Sequence, residues 1–167
     1  MYKKNKSIQI PEGREAQKKE AMQRAMRLLL YKDRSEWELR NRLIEDGFEE
    51  DAIEAAQNYV SSYGYINDKR YAENYVISRG RSQSVATVAN DLRRKGIAEE
   101  YIQNALEENP IEEERIADEL LRKRLGEPHI PEEKEKRRVF GYLARRGFAA
   151  STIMSAIRRY EASVNGI

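Results

Sequence analysis

Side chains that could carry catalytic chemistry are few in this chain of 167 residues, and they do not converge. The single histidine, His129, lies between Pro128 and Pro131, which is typical of a linker rather than of a general base. Adjacent acids such as Glu99 and Glu100 point to different faces of a helix and cannot form an acid/base pair. Cysteine is absent, and neither metal-ligand spacing nor a glycine-rich phosphate loop occurs. We therefore expect no enzyme activity, no metal and no cofactor.

Cationic side chains, in contrast, recur at equivalent places and can bind phosphates or acidic protein surfaces. The net charge of +2 conceals their segregation, because residues 120–160 carry 11 Lys or Arg and 4 acids, whereas residues 98–119 carry 1 and 9. The candidate contacts are Arg40, Arg42, Arg93, Arg94, Lys95, Arg137, Arg138, Arg145 and Arg146. All nine are predicted to belong to the second helix of a repeated unit.

The elements that position these cations form an internal repeat. A pattern of Leu, Gly four residues later, Phe or Ile, and then Ile and Ala occurs three times. Its glycines, Gly47, Gly96 and Gly147, are about 50 residues apart. Apolar residues recur at helical spacing before and after each glycine, and a further helix precedes each pair. We therefore predict an all-α fold of three tandem three-helix repeats that form an elongated, curved rod.

Each repeated glycine is predicted to end a helix. With Gly47 in the left-handed conformation just past the helix, Leu43 and Phe48 make the apolar contact of a Schellman motif. Glycine alone adopts this conformation without a Cβ penalty. The same pattern predicts helix ends at Gly96 and Gly147.

The starts of the second helices are predicted less uniformly. Ser35 and Glu38 form a capping box in the first repeat. Ser84 is the equivalent cap in the second repeat, although Thr87 stands where Glu would complete the box. In the third repeat we expect the helix to begin near Pro131, since proline is favoured in a first turn.

The repeats divide the chain into four predicted segments. These are a disordered leader at residues 1–14 and repeats at residues 15–66, 67–109 and 110–162. The leader is polar and has no hydrophobic signal region, and no apolar run approaches the roughly 20 residues that cross a bilayer. The absence of cysteine suits a reducing compartment. We expect a cytoplasmic monomer with no membrane partner.

Charge alone does not decide what the cations do. In a chain with 36% charged residues, solvated charged helix faces explain most such runs. Charge alone therefore gives about even odds to solvated faces and to a binding surface. The recurrence of cations on the second helix of all three repeats favours an anionic or acidic partner. A helix-turn-helix that reads bases is disfavoured, because the helices after Gly47 and Gly96 are acidic and phosphates would repel them.

Three segments of the sequence together resemble the RecX family, regulators of the bacterial recombinase RecA. They are residues 35–43 (SEWELRNRL), residues 64–72 (GYINDKRYA) and residues 92–97 (LRRKGI). The resemblance covers about residues 20–160, and the family usually has Asp where Asn67 stands. It implies a non-catalytic protein that binds the RecA–DNA filament along its groove. It also implies inhibition of filament growth, ATP hydrolysis, strand exchange and the SOS response.

Within this resemblance, four residues of the junction are expected to be structural. They are Gly64, Tyr65, Asp68 and Tyr71, interpreted as a helix stop, a cap and core aromatics. Two rival functions stay open at this point. One is a general DNA-binding regulator of helical repeats, which would show a salt-dependent affinity for DNA without recombinase. The other is a helical-repeat scaffold that binds only protein and has no DNA affinity.

Overall fold

A computed structural model of the protein describes residues 9–164. Over this range the chain forms nine helices and no strand, which confirms the all-α prediction. The helices are α1 (Arg14–Tyr31), α2 (Glu36–Glu45), α3 (Glu50–Ser62), α4 (Asp68–Arg79), α5 (Val85–Arg94), α6 (Glu99–Glu108), α7 (Glu113–Leu125), α8 (Glu133–Ala144) and α9 (Ala150–Val164). Most of the predicted leader, residues 1–8, lies outside the described residues, and α1 begins at Arg14.

The helices pack into two compact units. Among the described residues, the first unit contains residues 9–71 together with 94–101, and the second contains residues 72–93 and 102–164. The turn between α5 and α6 therefore belongs to the same unit as α1, α2 and α3. Compact packing thus does not follow the predicted repeat boundaries, because this turn packs against the start of α2.

The core of the first unit lies between α1 and α3, and α2 closes it. Ala21 and Ala25 of α1 are fully buried, as is Ala56 of α3. Small side chains at these positions let the two helices approach closely. Leu39 and Leu43 of α2 fill the remaining space and are also fully buried. Burying such a leucine contributes about 1.5–3 kcal/mol to folding.

The second unit contains an equivalent core, in which α7 packs along α9 and α8 closes the set. Leu121, Leu143 and Ile153 are fully buried there. Tyr160 is buried as well, and its hydroxyl donates a hydrogen bond to the carbonyl of Glu127 at 2.8 Å. Hydrogen bonding of this kind satisfies a polar group at the edge of the core.

The repeated glycines have the backbone that the sequence predicts. Gly47, Gly96 and Gly147 have φ values of +92°, +74° and +84° and lie just past α2, α5 and α8. At the first of them, the Phe48 N–H donates to the Leu43 carbonyl at 3.2 Å, which is the long bond of a Schellman motif. The helix ends are therefore confirmed.

The predicted caps are confirmed with one adjustment. Ser35 caps α2 in a complete capping box, and the Ser84 hydroxyl accepts a hydrogen bond from the Thr87 N–H at 3.2 Å. In the third repeat, α8 begins at Glu133, two residues after Pro131. A capping box made by Glu132 and Glu135 replaces the serine there.

The junction residues behave as predicted in part. Gly64 ends α3 with φ +68°, and Tyr71 is buried. Asn67 caps α4, because its side-chain oxygen accepts a hydrogen bond from the Arg70 N–H at 2.9 Å. The prediction that Tyr65 is a core aromatic is wrong. This residue is 47% exposed, because its ring stacks on the exposed ring of Tyr63 instead of entering the core.

Two classes of site are missing from the part of the chain that the structure describes. No helix within residues 9–164 is long and apolar enough to cross a membrane. Over the same residues, no group of three or more acids and histidines is arranged to hold a metal ion.

Candidate functional site

In the first unit, the start of α2 is fixed to the turn between α5 and α6. The Ser35 hydroxyl donates a hydrogen bond to the carbonyl of Lys95 at 2.5 Å. The N–H of Glu36, the first residue of α2, donates to the carboxylate of Asp68 at 2.8 Å. Asp68 therefore caps α2 rather than its own helix. Burial raises the pKa of Asp68, and the nearby Glu36 and Glu38 carboxylates also raise it against the lowering effect of this hydrogen bond.

The second unit contains the same joint one repeat later. The N–H of Ser84 and the hydroxyl of Thr87 both donate to the carbonyl of Arg146, at 3.0 and 3.3 Å. The N–H of Val85, the first residue of α5, donates to the carboxylate of Glu113 at 2.8 Å. Lys95 and Arg146 each precede the glycine of their repeat, so the joint uses equivalent positions. Two of the nine candidate cations thus have structural backbone roles.

The side chain of Lys95 is also engaged within the first unit. Its Nζ lies 2.6 Å from a Glu38 carboxylate oxygen and over the ring of Tyr71, 5.9 Å from the centroid. Burial raises the pKa of Glu38, but the hydrogen bonds from Lys95 and from the Ser35 N–H outweigh it and leave the pKa lowered. Burial lowers the pKa of Lys95, and the hydrogen bond to Glu38 outweighs it in turn. Lys95 therefore stabilises the joint.

Arg40 and Arg42 of α2 form ion pairs with acids of the same repeat. Arg40 binds both carboxylate oxygens of Glu50 on α3, at 2.6 and 2.7 Å. Arg42 contacts Glu45 at 3.0 Å and Asp46 at 3.1 Å. The pairs with the exposed Glu45 and Glu50 contribute about 0–1 kcal/mol each. The bridge from Arg40 to the acidic third helix shows that part of the cationic pattern is internal to the repeat.

An open groove of 820 Å³ lies between α1 and α2 in the first unit, and we call it the arginine groove. Its lining is Arg24, Arg27, Leu28, Tyr31, Arg34, Trp37, Glu38, Asn41, Arg42, Ile44 and Glu45. Trp37 and Ile44 are half exposed, at 50% and 49%, and Tyr31 is exposed at 87%. Exposed aromatic and arginine side chains on a concave surface are the residue types that dominate binding energy at protein interfaces.

A buried carboxylate orients two arginines of the arginine groove. The side chain of Asp46 is only 6% exposed, and its oxygens lie 2.7 Å from Arg24 and 3.1 Å from Arg42. One buried carboxylate therefore orients two guanidinium groups, while Arg27 pairs with Glu20 at 2.6 Å. This arrangement suits an acidic partner surface that also presents an apolar side chain to Trp37.

Of the nine predicted cations, only Arg42 lines the arginine groove; Arg24, Arg27 and Arg34 were missed. The prediction followed the second helix of each repeat, whereas these residues lie on α1 and in the loop after it. The basic character of residues 1–44, with 12 Lys or Arg and 6 acids, was the available signal. Trp37, Leu39, Leu43 and Ile44 follow the apolar spacing of α2, but only Leu39 and Leu43 are buried, whereas Trp37 and Ile44 are half exposed.

In the second unit, the cations around α8 are arranged differently. Arg137, Arg138 and Arg145 are exposed. Arg146 stacks over the Tyr142 ring, 3.8 Å from its centroid, and Arg124 of α7 lies 5.4 Å from the same ring. Cations over an aromatic face gain about 0.5–2 kcal/mol. Arg124 was not predicted, because only the fold brings α7 next to α8.

Three predicted cations lie outside the helices to which they were assigned. Helix α5 ends at Arg94 and α8 at Ala144, so Lys95, Arg145 and Arg146 belong to the turns before the glycines. Arg93 and Arg94 are exposed on the last turn of α5, and Arg93 donates to the Asn90 side chain at 2.9 Å. The helix ends here because the Schellman geometry fixes the glycine two or three residues later.

His129 lies in the loop between α7 and α8, in agreement with its interpretation as a linker residue. Its ring nitrogens lie 3.0 Å from the Glu127 carbonyl and 3.3 Å from the Glu135 carboxylate. The Glu127 carbonyl and, to a smaller degree, Glu135 raise the pKa of this histidine. The contacts close the loop onto the start of α8.

Comparison with known proteins agrees with the division of the chain into three successive three-helix repeats. Three family models match the chain in succession, and they describe the first, second and third three-helix domains of RecX. The matched residues are 21–56, 67–106 and 112–157. The regulatory protein RecX of Syntrophotalea carbinolica is 36% identical over 148 residues, which is 83% of this chain and 94% of that protein. The chain belongs to the RecX family.

Other relatives extend the same similarity. The regulatory protein RecX of Amycolatopsis mediterranei is also 36% identical, over 86% of this chain and 87% of its own length. Among solved structures, RecX from Lactobacillus salivarius superposes with a TM-score of 0.67 at 21% identity, over 87% of this chain and 97% of that one. A second regulatory protein RecX gives 0.66 at 25% identity, over 85% and 73%. These structures share the fold of the RecX family chain described here.

Proposed function

We propose that this RecX family protein binds the filament that RecA forms on single-stranded DNA and inhibits it. The observation that carries the proposal is the match of all three RecX three-helix domains, in order, along one chain. The curated relatives are named regulatory proteins. In this role the protein is a cytoplasmic, non-catalytic monomer that limits ATP hydrolysis, strand exchange, recombinational DNA repair and the SOS response.

Two surfaces are assigned to the two components of the filament. The arginine groove, with Trp37 and Ile44, binds an acidic and apolar patch on RecA, since it combines ordered guanidinium groups with exposed apolar area. The exposed cations of the second unit, Arg137, Arg138 and Arg145, bind DNA phosphates. Arg93 and Arg94 are kept as further candidates for phosphate contacts. Arg40, Lys95 and Arg146 are assigned to support the repeats instead.

A general DNA-binding regulator is the second candidate, and the exposed cations on and after α8 favour it. The acidic helices α3 and α6 oppose it, because they repel phosphates. We therefore assign to the protein a higher affinity for the filament than for bare single-stranded DNA. A scaffold that binds only protein would retain the arginine groove but show no DNA affinity.

Co-sedimentation with preformed RecA–DNA filaments, together with the ATPase rate of RecA, tests the proposal. We expect the protein to pellet with filaments and to suppress ATP turnover at ratios well below one copy per RecA, since one copy at a growing end blocks many additions. Equal affinity for bare DNA and filament, with an unchanged ATPase rate, would support the general DNA binder. Suppression that requires excess over DNA sites would indicate competition for DNA instead.

A further inference from the structure

Three exposed tyrosines form a continuous aromatic surface at the end of α3, and we call it the tyrosine ladder. Tyr59, Tyr63 and Tyr65 are 37%, 64% and 47% exposed. The centroids of Tyr59 and Tyr63 are 5.0 Å apart, and those of Tyr63 and Tyr65 are 5.9 Å apart with nearly parallel rings at 24°. Single exposed aromatics are ordinary on protein surfaces, but three rings in contact are a built feature.

The backbone at Gly64 holds the last two rings together. Gly64 has φ +68°, and the Tyr65 N–H donates to the Val60 carbonyl at 2.9 Å in a Schellman bond. This turn reverses the chain, so that Tyr65 stacks on Tyr63 although one residue separates them in sequence. None of the three rings is among the buried residues that form the core of the first unit.

Cationic groups flank the tyrosine ladder at both ends. Tyr59 also lines a groove of 420 Å³ with Lys19, Met22, Gln23, Met26 and Arg27 of α1. At the other end, the Arg70 guanidinium donates to the Gly64 carbonyl at 3.4 Å. The acids of α3, Glu50, Asp51 and Glu54, lie toward the opposite end of that helix. The ladder thus combines open π faces with positive charge.

We propose that the tyrosine ladder is a stacking platform for the unpaired bases of single-stranded nucleic acid. Stacked aromatics beside cations are the combination that binds single strands without reading their sequence, because every base offers a π face. The groove beside Tyr59 accommodates a further base between the ring and the methionine side chains. This proposal deepens the proposed function and rests on it for the presence of single-stranded DNA at the site.

The test compares two double variants of the full chain. Tyr63→Ala with Tyr65→Ala removes the rings, whereas Tyr63→Phe with Tyr65→Phe removes only the hydroxyls and serves as the matched control. The probe is a fluorescent oligothymidine of about 16 nucleotides, followed by anisotropy without RecA. We expect the alanine pair to lose about 10- to 100-fold in affinity and the phenylalanine pair to stay within about threefold.

A second probe separates stacking from phosphate contacts. An abasic oligonucleotide of the same length keeps the phosphates and loses the bases, so the wild type and the alanine pair should bind it equally weakly. The slope of affinity against salt concentration should be the same for the wild type and the alanine pair, since no cation is removed. Circular dichroism verifies that each variant is folded.

Several outcomes would overturn the platform. They are undetectable oligothymidine binding by the wild type, equal binding by the alanine pair, equal losses in the alanine and phenylalanine pairs, or wild-type binding of the abasic probe as tight as that of oligothymidine. RecA ATPase rates are measured on the same samples. Suppression by the wild type alongside any of these outcomes rejects the platform and leaves the proposed function standing, whereas no suppression by the wild type rejects the proposed function itself.

Discussion

Gly96 lies directly against Trp37, so that a Cβ atom built on Gly96 would overlap the Cβ and Cγ atoms of the tryptophan. The two residues are in different repeats, and their contact brings the turn after α5 against the first turn of α2. Gly147 has the equivalent place in the second unit, where a Cβ would overlap Ser84 and Thr87. Gly96 and Gly147 therefore have two roles. Each ends a helix, and each leaves room for the side chains of the preceding repeat that pack against it.

This contact predicts the cost of adding one methyl group. Gly64 and Gly96 both have positive φ, but a Cβ on Gly64 would meet nothing within 4 Å. We expect Gly64→Ala to lower the free energy of unfolding by about 1–2 kcal/mol through backbone strain alone. Gly96→Ala should lower it by a further 1–3 kcal/mol or so, because the side chain overpacks against Trp37. Urea unfolding of both variants measures the difference, and equal losses would contradict the close approach.

The pair of Glu38 and Lys95 predicts a pH-dependent stability. The folded pKa of Glu38 lies below its ordinary value of 4.5, so its contribution is present above that pH and is lost as pH falls through the folded pKa. The folded pKa of Lys95 lies above 10.5, so its contribution is lost as pH rises through that folded value. The free energy of unfolding, measured at a series of pH values, should fall on the acid side, and this fall should be smaller in Glu38→Gln.

Removing the cation from this pair should be costly at neutral pH. Lys95→Met leaves a Glu38 carboxylate that is only 16% exposed without its ion pair. We expect the free energy of unfolding to fall by about 1–2 kcal/mol, which lies between the losses typical of breaking an exposed and a buried ion pair. A charge-reversal variant that includes Lys95 would therefore also destabilise the fold, so a loss of filament binding in it could not be assigned to a lost contact. Wild-type stability in Lys95→Met would show that the ion pair contributes nothing.

The proposed RecA contact predicts a difference between two equally exposed apolar residues. Ile44 in the arginine groove is 49% exposed, and Met154 on α9 is 47% exposed. Both should tolerate Glu within about 0.5 kcal/mol of stability. We expect Ile44→Glu to weaken co-sedimentation with RecA–DNA filaments by at least about 10-fold, as for an interface anchor, and Met154→Glu to leave it unchanged. Equal effects would remove the arginine groove from the interface.

The proposed phosphate contacts predict a change in salt dependence. Arg137→Gln with Arg138→Gln should weaken DNA binding and lower the slope of log affinity against log salt by roughly 1.4, at about 0.7 per single-strand phosphate contact. Arg115→Gln is the control, since Arg115 is ion-paired with Glu112 and Glu119 within the acidic residues 98–119. An unchanged slope in the double variant would exclude these two arginines as phosphate contacts.

Local signals in the sequence determined the helices and their ends. The positive φ of Gly47, Gly96 and Gly147 follows from neighbouring residues, since a Schellman motif spans only six positions. The capping box of Ser35 and Glu38 is equally local. Repetition of these signals at a constant spacing also indicated the three-helix units, and the resemblance to the RecX family rested on the same residues.

Only the tertiary structure decided which cations form ion pairs and which aromatic side chains are exposed. Arg24 and Arg42 share a carboxylate, and Glu38 binds a lysine 57 residues later, because packing of α1, α2 and the turn after α5 brings them together. Periodicity shows that a helix has an apolar stripe but not which of its residues are covered, and on α2 Leu39 is buried whereas Trp37 is half exposed. Burial depends on which neighbouring helix covers each position, and that is a property of the folded chain.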